Sequence, residues 1–173
     1  MRIVLALACA IVLLLNGASA QQRTLTHLPI ILSASGDTVN LLAVSDNEPL
    51  LVVRHLGATC SHCVEQLRAI IRYHDVSGPL PCRVVAFSSD DVQTCDSMTK
   101  QLRIDSKLIS LCSDHEDAVA NALGCVISER DGTITDLHLV MVLYRRRVLF
   151  EHYSITPLMS FGDVMGVVAN VKR

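Results

Sequence analysis

The sequence predicts an α/β fold built on a central mixed sheet flanked by helices. Three observations predict it. Apolar, strand-like runs alternate with stretches of helical periodicity between residues 50 and 123. Near the C-terminus two apolar runs are joined by a connection short enough only for an antiparallel hairpin, and a last helical stretch follows them.

Pro29 to Ser35 and Thr38 to Val44 are largely apolar and flank Gly36-Asp37, a dipeptide suited to a tight turn, so they are expected to form a hairpin. Leu50 to Leu56 has the composition of a buried strand and ends at Gly57. From Ser61 to Tyr73 the apolar positions Val64, Leu67, Ile70 and Ile71 recur at helical spacing. A second unit follows the Gly-Pro-Leu-Pro break, with a strand over Arg83 to Phe87 and a helix over Asp90 to Leu102 that Ser88 to Asp91 can cap. The third has a strand over Lys107 to Cys112, Ser113-Asp114 as cap, and a helix over Glu116 to Leu123 stopped by Gly124. Leu137 to Leu143 and Val148 to Tyr153 then pair across Tyr144-Arg145-Arg146-Arg147, and Leu158 to Val171 supplies the last helix. Parallel β-α-β units followed by a β-β-α unit is the order of a thioredoxin-like fold.

The first twenty residues stand apart. Arg2 is followed by a thirteen-residue apolar run, Ile3 to Leu15, and by Ala18-Ser19-Ala20, the order of a cleaved export signal. That run is shorter than the 17 to 25 residues a helix needs to cross a bilayer, so no stable span is expected after cleavage. Residues 21–173 are expected to form one domain in a secreted or periplasmic protein, and Cys9 leaves with the signal. Without Arg2 the balance is 14 basic against 17 acidic residues, a formal charge of −3. Nothing basic enough for nucleic acid or an anionic membrane remains, and the absence of Trp argues against base-stacking platforms.

Six cysteines remain: Cys60, Cys63, Cys82, Cys95, Cys112 and Cys125. Cys60-Ser61-His62-Cys63 falls between a strand and a helix, where unpaired N–H groups and the helix dipole stabilise a thiolate. At that spacing the second sulfur can resolve an attack made by the first. Cys60 and Cys63 are therefore the candidate catalytic pair, and a charged His62 would stabilise the thiolate further. Two other readings stay open: an inert structural disulfide, and half of a zinc site. The zinc reading lacks a second Cys-x-x-Cys or close His pair, and His27, His55, His74, His115, His138 and His152 are scattered. Neither a metal nor a cofactor is required. Glu65 is a candidate proton acceptor or a surface residue, and Arg145-Arg146-Arg147 a solvated hairpin tip.

Leu51 to Arg68, with Cys60-x-x-Cys63 followed by Gln66-Leu67-Arg68, resembles the active-site segment of redoxins in the alkyl hydroperoxide reductase and thiol-specific antioxidant group. Val84 to Asp90 resembles that family's strand ending in Ser-x-Asp. Ser113-Asp114 with Ala120 through Gly124 resembles its Ser-Asp and Ala-x-x-x-Gly segment. The resemblance implies thiol chemistry on protein thiols or disulfides, or on peroxide, and it makes Cys95 a candidate resolving cysteine. Alignment with the peroxidatic motif Pro-x-x-x-Thr/Ser-x-x-Cys puts Leu56 at the Pro, Cys60 at the Thr/Ser and Cys63 at the cysteine. Where the family carries an Arg, this chain has Asp136, Leu137 and His138. Thr59 stands at the usual Trp of thioredoxins. The expected function is an exported thiol–disulfide oxidoreductase, with a peroxiredoxin-like peroxidase and a non-enzymatic domain holding a static disulfide as the alternatives.

Overall fold

In a computed structural model, residues 22–171 are described. The proposed export signal and its cleavage point lie outside them. In chain order the strands are β1 (Ile31–Ser33), β2 (Thr38–Val39), β3 (Leu50–Arg54), β4 (Arg83–Ser88), β5 (Ile109–Ser113), β6 (Val126–Ser128), β7 (Ile134–Asp136), β8 (His138–Tyr144) and β9 (Arg147–Ser154). The helices are α1 (Leu41–Asn47), α2 (Ser61–Ser77), α3 (Val92–Leu102), α4 (Ala118–Ala122) and α5 (Gly162–Val171). Among them none is long and apolar enough to cross a membrane.

Seven strands form one sheet in the order β2-β1-β5-β4-β3-β8-β9. β3, β4 and β5 run parallel, whereas β8 is antiparallel to both β3 and β9 and β1 is antiparallel to β5. The mixed sheet and its thioredoxin-like order are as expected. β3 is buried on both faces, and its side chains alternate between two cores. Leu50 and Val52 join Phe87, Leu139, Met141 and α1 residues Leu41 and Leu42. Leu51 and Val53 join Leu67 and Ile70 of α2, Met98 of α3 and Val164 and Val168 of α5. Burying Leu67 and Ile70 holds α2 to the sheet with roughly 1.5 to 3 kcal/mol each.

The first hairpin is shorter than expected. Gly36 takes φ +87° in its turn, but β2 stops at Val39. Asn40 then caps α1, its side-chain oxygen accepting from the Ala43 N–H. The run to Val44 was expected to be strand, but it turns helical because Asn40 satisfies a helix N-terminus there and Leu41 and Leu42 bury on one face. A second departure is the small β6–β7 hairpin, which the sequence reading left unassigned. At the other hairpin, Arg145 and Arg146 adopt φ +48° and +62°, the paired left-handed conformation of a two-residue turn. This tip is not merely solvated, because Arg146 grips Asp46 of α1 through its Nε and Nη2, at 2.8 to 3.1 Å.

Candidate active site

Cys60 is the N-cap of α2, and its Sγ accepts from the Cys63 N–H at 3.3 Å. The chain reaches this cap through a turn fastened at several points. The Gly57 N–H donates to His55 Nδ1 at 3.2 Å, and the Cys60 N–H to the Gly57 carbonyl at 3.2 Å. Asp90, just past β4, accepts from the Ala58 N–H at 2.8 Å and from the Ser88 hydroxyl at 3.0 Å. Gly57 needs to be glycine: its φ is +99°, and a Cβ there would lie 2.9 Å from Asp90 Oδ1. The Ser-x-Asp segment thus serves as a tie holding the cysteine turn to the sheet.

Cys60 and Cys63 are joined as a disulfide, with Cα atoms 5.2 Å apart. The two sulfurs are unequal. Cys60 is half-buried, whereas Cys63 has no exposed surface and sits on the inner side of the helix. Cys63 Sγ accepts from the Leu56 N–H at 3.3 Å and lies 3.3 Å from His138 Nε2. His138 is 3 % exposed. Burial, foremost, lowers its pKa, with smaller contributions from the Arg54 and His62 charges, while the backbone of its cross-strand partner Ser154 acts the other way. No hydrogen bond of acceptable geometry reaches Nδ1, although the Ser154 backbone lies close enough to favour the protonated ring.

A buried cation fixes the start of β8, where His138 sits. Arg54 is 2 % exposed, and its guanidinium donates to the Leu137 carbonyl at 2.8 Å and to Asp136 and Asp117 at 2.8 and 3.2 Å. β3 pairs Arg54 with Leu139, so the last residue of the strand that leads into the cysteine turn grips the backbone next to the histidine. Beside it His55 is buried, and desolvation pushes its pKa down to about 4, against the pull of Asp90.

The structure thus brings together Cys60, Cys63 and His138, whose ligating atoms all lie within 4.8 Å of one another. The sequence reading found no histidine in metal-ligand spacing; the fold corrects that for His138, which arrives from a strand 75 residues beyond Cys63. It lies in the stretch where the resemblance places an Arg. His62 is exposed on the first turn of α2. Glu65 pairs with Arg68 at 2.6 Å on the surface of the same helix. Cys95 is buried on α3, and its thiol is pushed up to about 11 by burial and then by the Asp90 and Asp91 carboxylates. Cys112 and Cys125 are buried too, pushed up to about 12 and about 11, chiefly by desolvation.

A Cys-x-x-Cys disulfide at the head of a helix, on a sheet of this order, defines a redoxin of the thioredoxin-like class. The pattern of the AhpC/TSA family matches residues 17–152. The chain belongs to that family. A search of curated proteins finds no match. Among solved structures, the peroxidoxin BcpB of Mycobacterium tuberculosis superposes with a TM-score of 0.68 at 16% identity, covering 88% of this chain and 100% of its own. The bacterioferritin comigratory protein of Xanthomonas campestris gives 0.67 at 13% identity over 87% and 100% of the two chains. Reduced Prx3 of Vibrio vulnificus gives 0.67 at 14% over 89% and 99%. At these identities the likeness establishes the shared fold.

Proposed function

We propose that this protein is an exported thiol–disulfide oxidoreductase that works through Cys60 and Cys63, as a single domain over residues 21–173 in a secreted or periplasmic setting. The observation that carries the reading is the asymmetry of the pair: a half-buried sulfur capping the helix, bonded to a fully buried one facing His138 Nε2 at 3.3 Å. In the reduced protein the Cys60 thiolate, stabilised at the helix N-terminus, attacks a substrate disulfide and expels one substrate thiolate. Cys63 then attacks Cys60 Sγ, releasing the second thiolate and closing the Cys60–Cys63 disulfide. In reverse, that disulfide accepts two electrons from a substrate dithiol.

Before it attacks, the Cys63 thiol must give up its proton, so the step needs a proton acceptor. Neutral His138, in the tautomer protonated at Nδ1, offers the Nε2 lone pair to the Cys63 thiol at 3.3 Å. Its lowered pKa keeps it unprotonated at neutral pH. His62, exposed beside Cys60, adds to the positive potential whenever it is protonated.

A peroxidase reading is supported by the family resemblance, in which alignment with the peroxidatic motif puts Cys63 at its cysteine although Leu56 and Cys60 replace the Pro and Thr/Ser, and by a peroxidoxin among the solved structures of similar fold. Peroxide would then oxidise Cys63 to a sulfenic acid, on which the Cys60 thiol condenses with loss of water. Insulin reduction and peroxide consumption, both with dithiothreitol, separate the two in Cys60→Ser and Cys63→Ser variants. The oxidoreductase requires insulin turnover that Cys60→Ser abolishes, with a substrate mixed disulfide trapped on Cys60 in Cys63→Ser. Peroxide turnover with a sulfenic acid on Cys63 would instead select the peroxidase. A pair inert in both assays leaves the static disulfide.

A further inference from the structure

We propose that the reduced Cys60–Cys63 pair and His138 form a three-coordinate site for a monovalent thiophilic cation, Cu(I). The two sulfurs, joined as a disulfide in the structure, and the His138 imidazole already lie close together, with all three ligand atoms within 4.8 Å of one another. Metal–sulfur and metal–nitrogen bonds of about 2.3 and 2.0 Å in a trigonal plane separate the ligand atoms by about 3.7 to 4 Å. Reduction frees the two sulfurs to move to that spacing. Cys63 Sγ and His138 Nε2, now 3.3 Å apart, need open by only about half an ångström.

Three features select the ion. The soft thiolates favour Cu(I) or Zn(II) over hard cations. Among the described residues no fourth His, Cys, Asp or Glu joins the group, whereas zinc held in structural sites takes four ligands and Cu(I) is satisfied by three. Cys63 and His138 are buried, and burial limits the water that could complete a zinc tetrahedron. Arg54 anchors the backbone beside His138 through the Leu137 carbonyl, so the nitrogen ligand is held in place without the metal.

A dithiol reductant gives two electrons to the Cys60–Cys63 disulfide and leaves as its own disulfide. Cu(I) then binds without changing oxidation state and displaces the two thiol protons, giving a site of net charge −1. Metal occupancy and disulfide exchange are mutually exclusive, because both use the Sγ of Cys60. The inference rests on the proposed function only in requiring a reducible pair.

The test uses the whole chain, reduced with dithiothreitol, freed of it without oxygen, and assayed for thiols before titration. Cu(I) is offered from a bicinchoninate complex. One equivalent should transfer, and X-ray absorption at the copper edge should show two sulfur and one nitrogen neighbours. His138→Ala should lose the nitrogen and weaken binding at least on the order of tenfold, the lower end of what a lost supporting ligand partner costs. It should leave the thiol count unchanged. A reduced pair that leaves copper with the chelator, an all-sulfur shell in the wild type, or tighter binding of Zn(II) in a parallel titration would overturn the proposal. A pair whose thiols never appear under dithiothreitol would overturn it together with the oxidoreductase reading, and the thiol assay tells that failure from a failure of copper binding alone.

Discussion

His55 provides a stability switch under the cysteine turn. It is buried beside Arg54, its Nδ1 accepts the Gly57 N–H, and desolvation holds its pKa at about 4 in the folded protein, against an ordinary value of 6.5. The folded state therefore binds a proton less readily than the unfolded one, and the stability that neutral His55 supports is present above pH 6.5 and lost as pH falls towards 4. Linkage between those two values gives a loss of about 2 kcal/mol between pH 7.5 and pH 5, approaching about 3 kcal/mol near pH 4. For a chain of this size about 2 kcal/mol corresponds to roughly 4 to 8 °C in Tm. The carboxylates also titrate in this range, so the assay is a difference. Urea unfolding is followed at pH 7.5 and 5.0 for the wild type and for His55→Asn, whose Oδ1 can still accept the Gly57 N–H. The variant should start less stable but lose about 2 kcal/mol less than the wild type on acidification. Equal acid sensitivity in the two proteins would refute a buried, neutral His55.

Three further outcomes are expected. His138→Ala should slow closure of the mixed disulfide by about 100-fold or more, the range of a lost general base, so quenched mass spectra should show substrate accumulating on Cys60; unchanged closure would remove His138 from the reaction. Gly57→Ala should cost at least about 1 to 2 kcal/mol from the left-handed backbone alone and more as Asp90 is pushed off Ala58, read by thermal melting and by a slower reaction at Cys60; a neutral substitution would show that the turn is not held as described. In reduced protein at pH 8, iodoacetamide should mark Cys60 well before Cys95, Cys112 or Cys125, because a thiol held near 11 is ionised to about one part in a thousand; peptide mapping that finds Cys95 labelled at the rate of Cys60 would contradict its burial.

The parts of the fold legible from sequence were those with a local signature. β3 into α2 was marked by a continuous apolar run, a turn and then helical spacing, all within one window. α3 and α4 had caps in plain sight: Asp91 accepts the Thr94 N–H, and Asp114 accepts the Val119 and Ala120 N–H groups. α1 was misread because Leu41-Leu42-Ala43-Val44 is too short for a period to show, and only Asn40 signalled a helix start. The β6–β7 hairpin has strands of three residues each, mostly exposed, so it leaves almost no hydrophobic pattern. The site was half legible. Its cysteines are neighbours in the chain, but His138 meets Cys63 only through the β3–β8 pairing, a long-range register that no local pattern encodes. A signal existed nonetheless: His138 lies in the short stretch where the family resemblance places an Arg. Arg54 carried no signal at all, since a charged residue closing an apolar strand ordinarily marks its emergence into solvent, and here the Asp117 and Asp136 carboxylates and the Leu137 carbonyl keep it inside.

In the proposed reaction Cys60 both reacts and begins α2, so chemistry at its sulfur reaches the mechanics of the helix. The Cys63 N–H, one of the donors a helix leaves unpaired at its start, leans on that sulfur. A thiolate accepts this bond more strongly than a sulfur shared in a disulfide, and a bulky partner attached to Cys60 crowds it. The first turn therefore tightens or frays with each covalent state, and amide exchange at Cys63 becomes a clock hand for the reaction, readable without following any substrate.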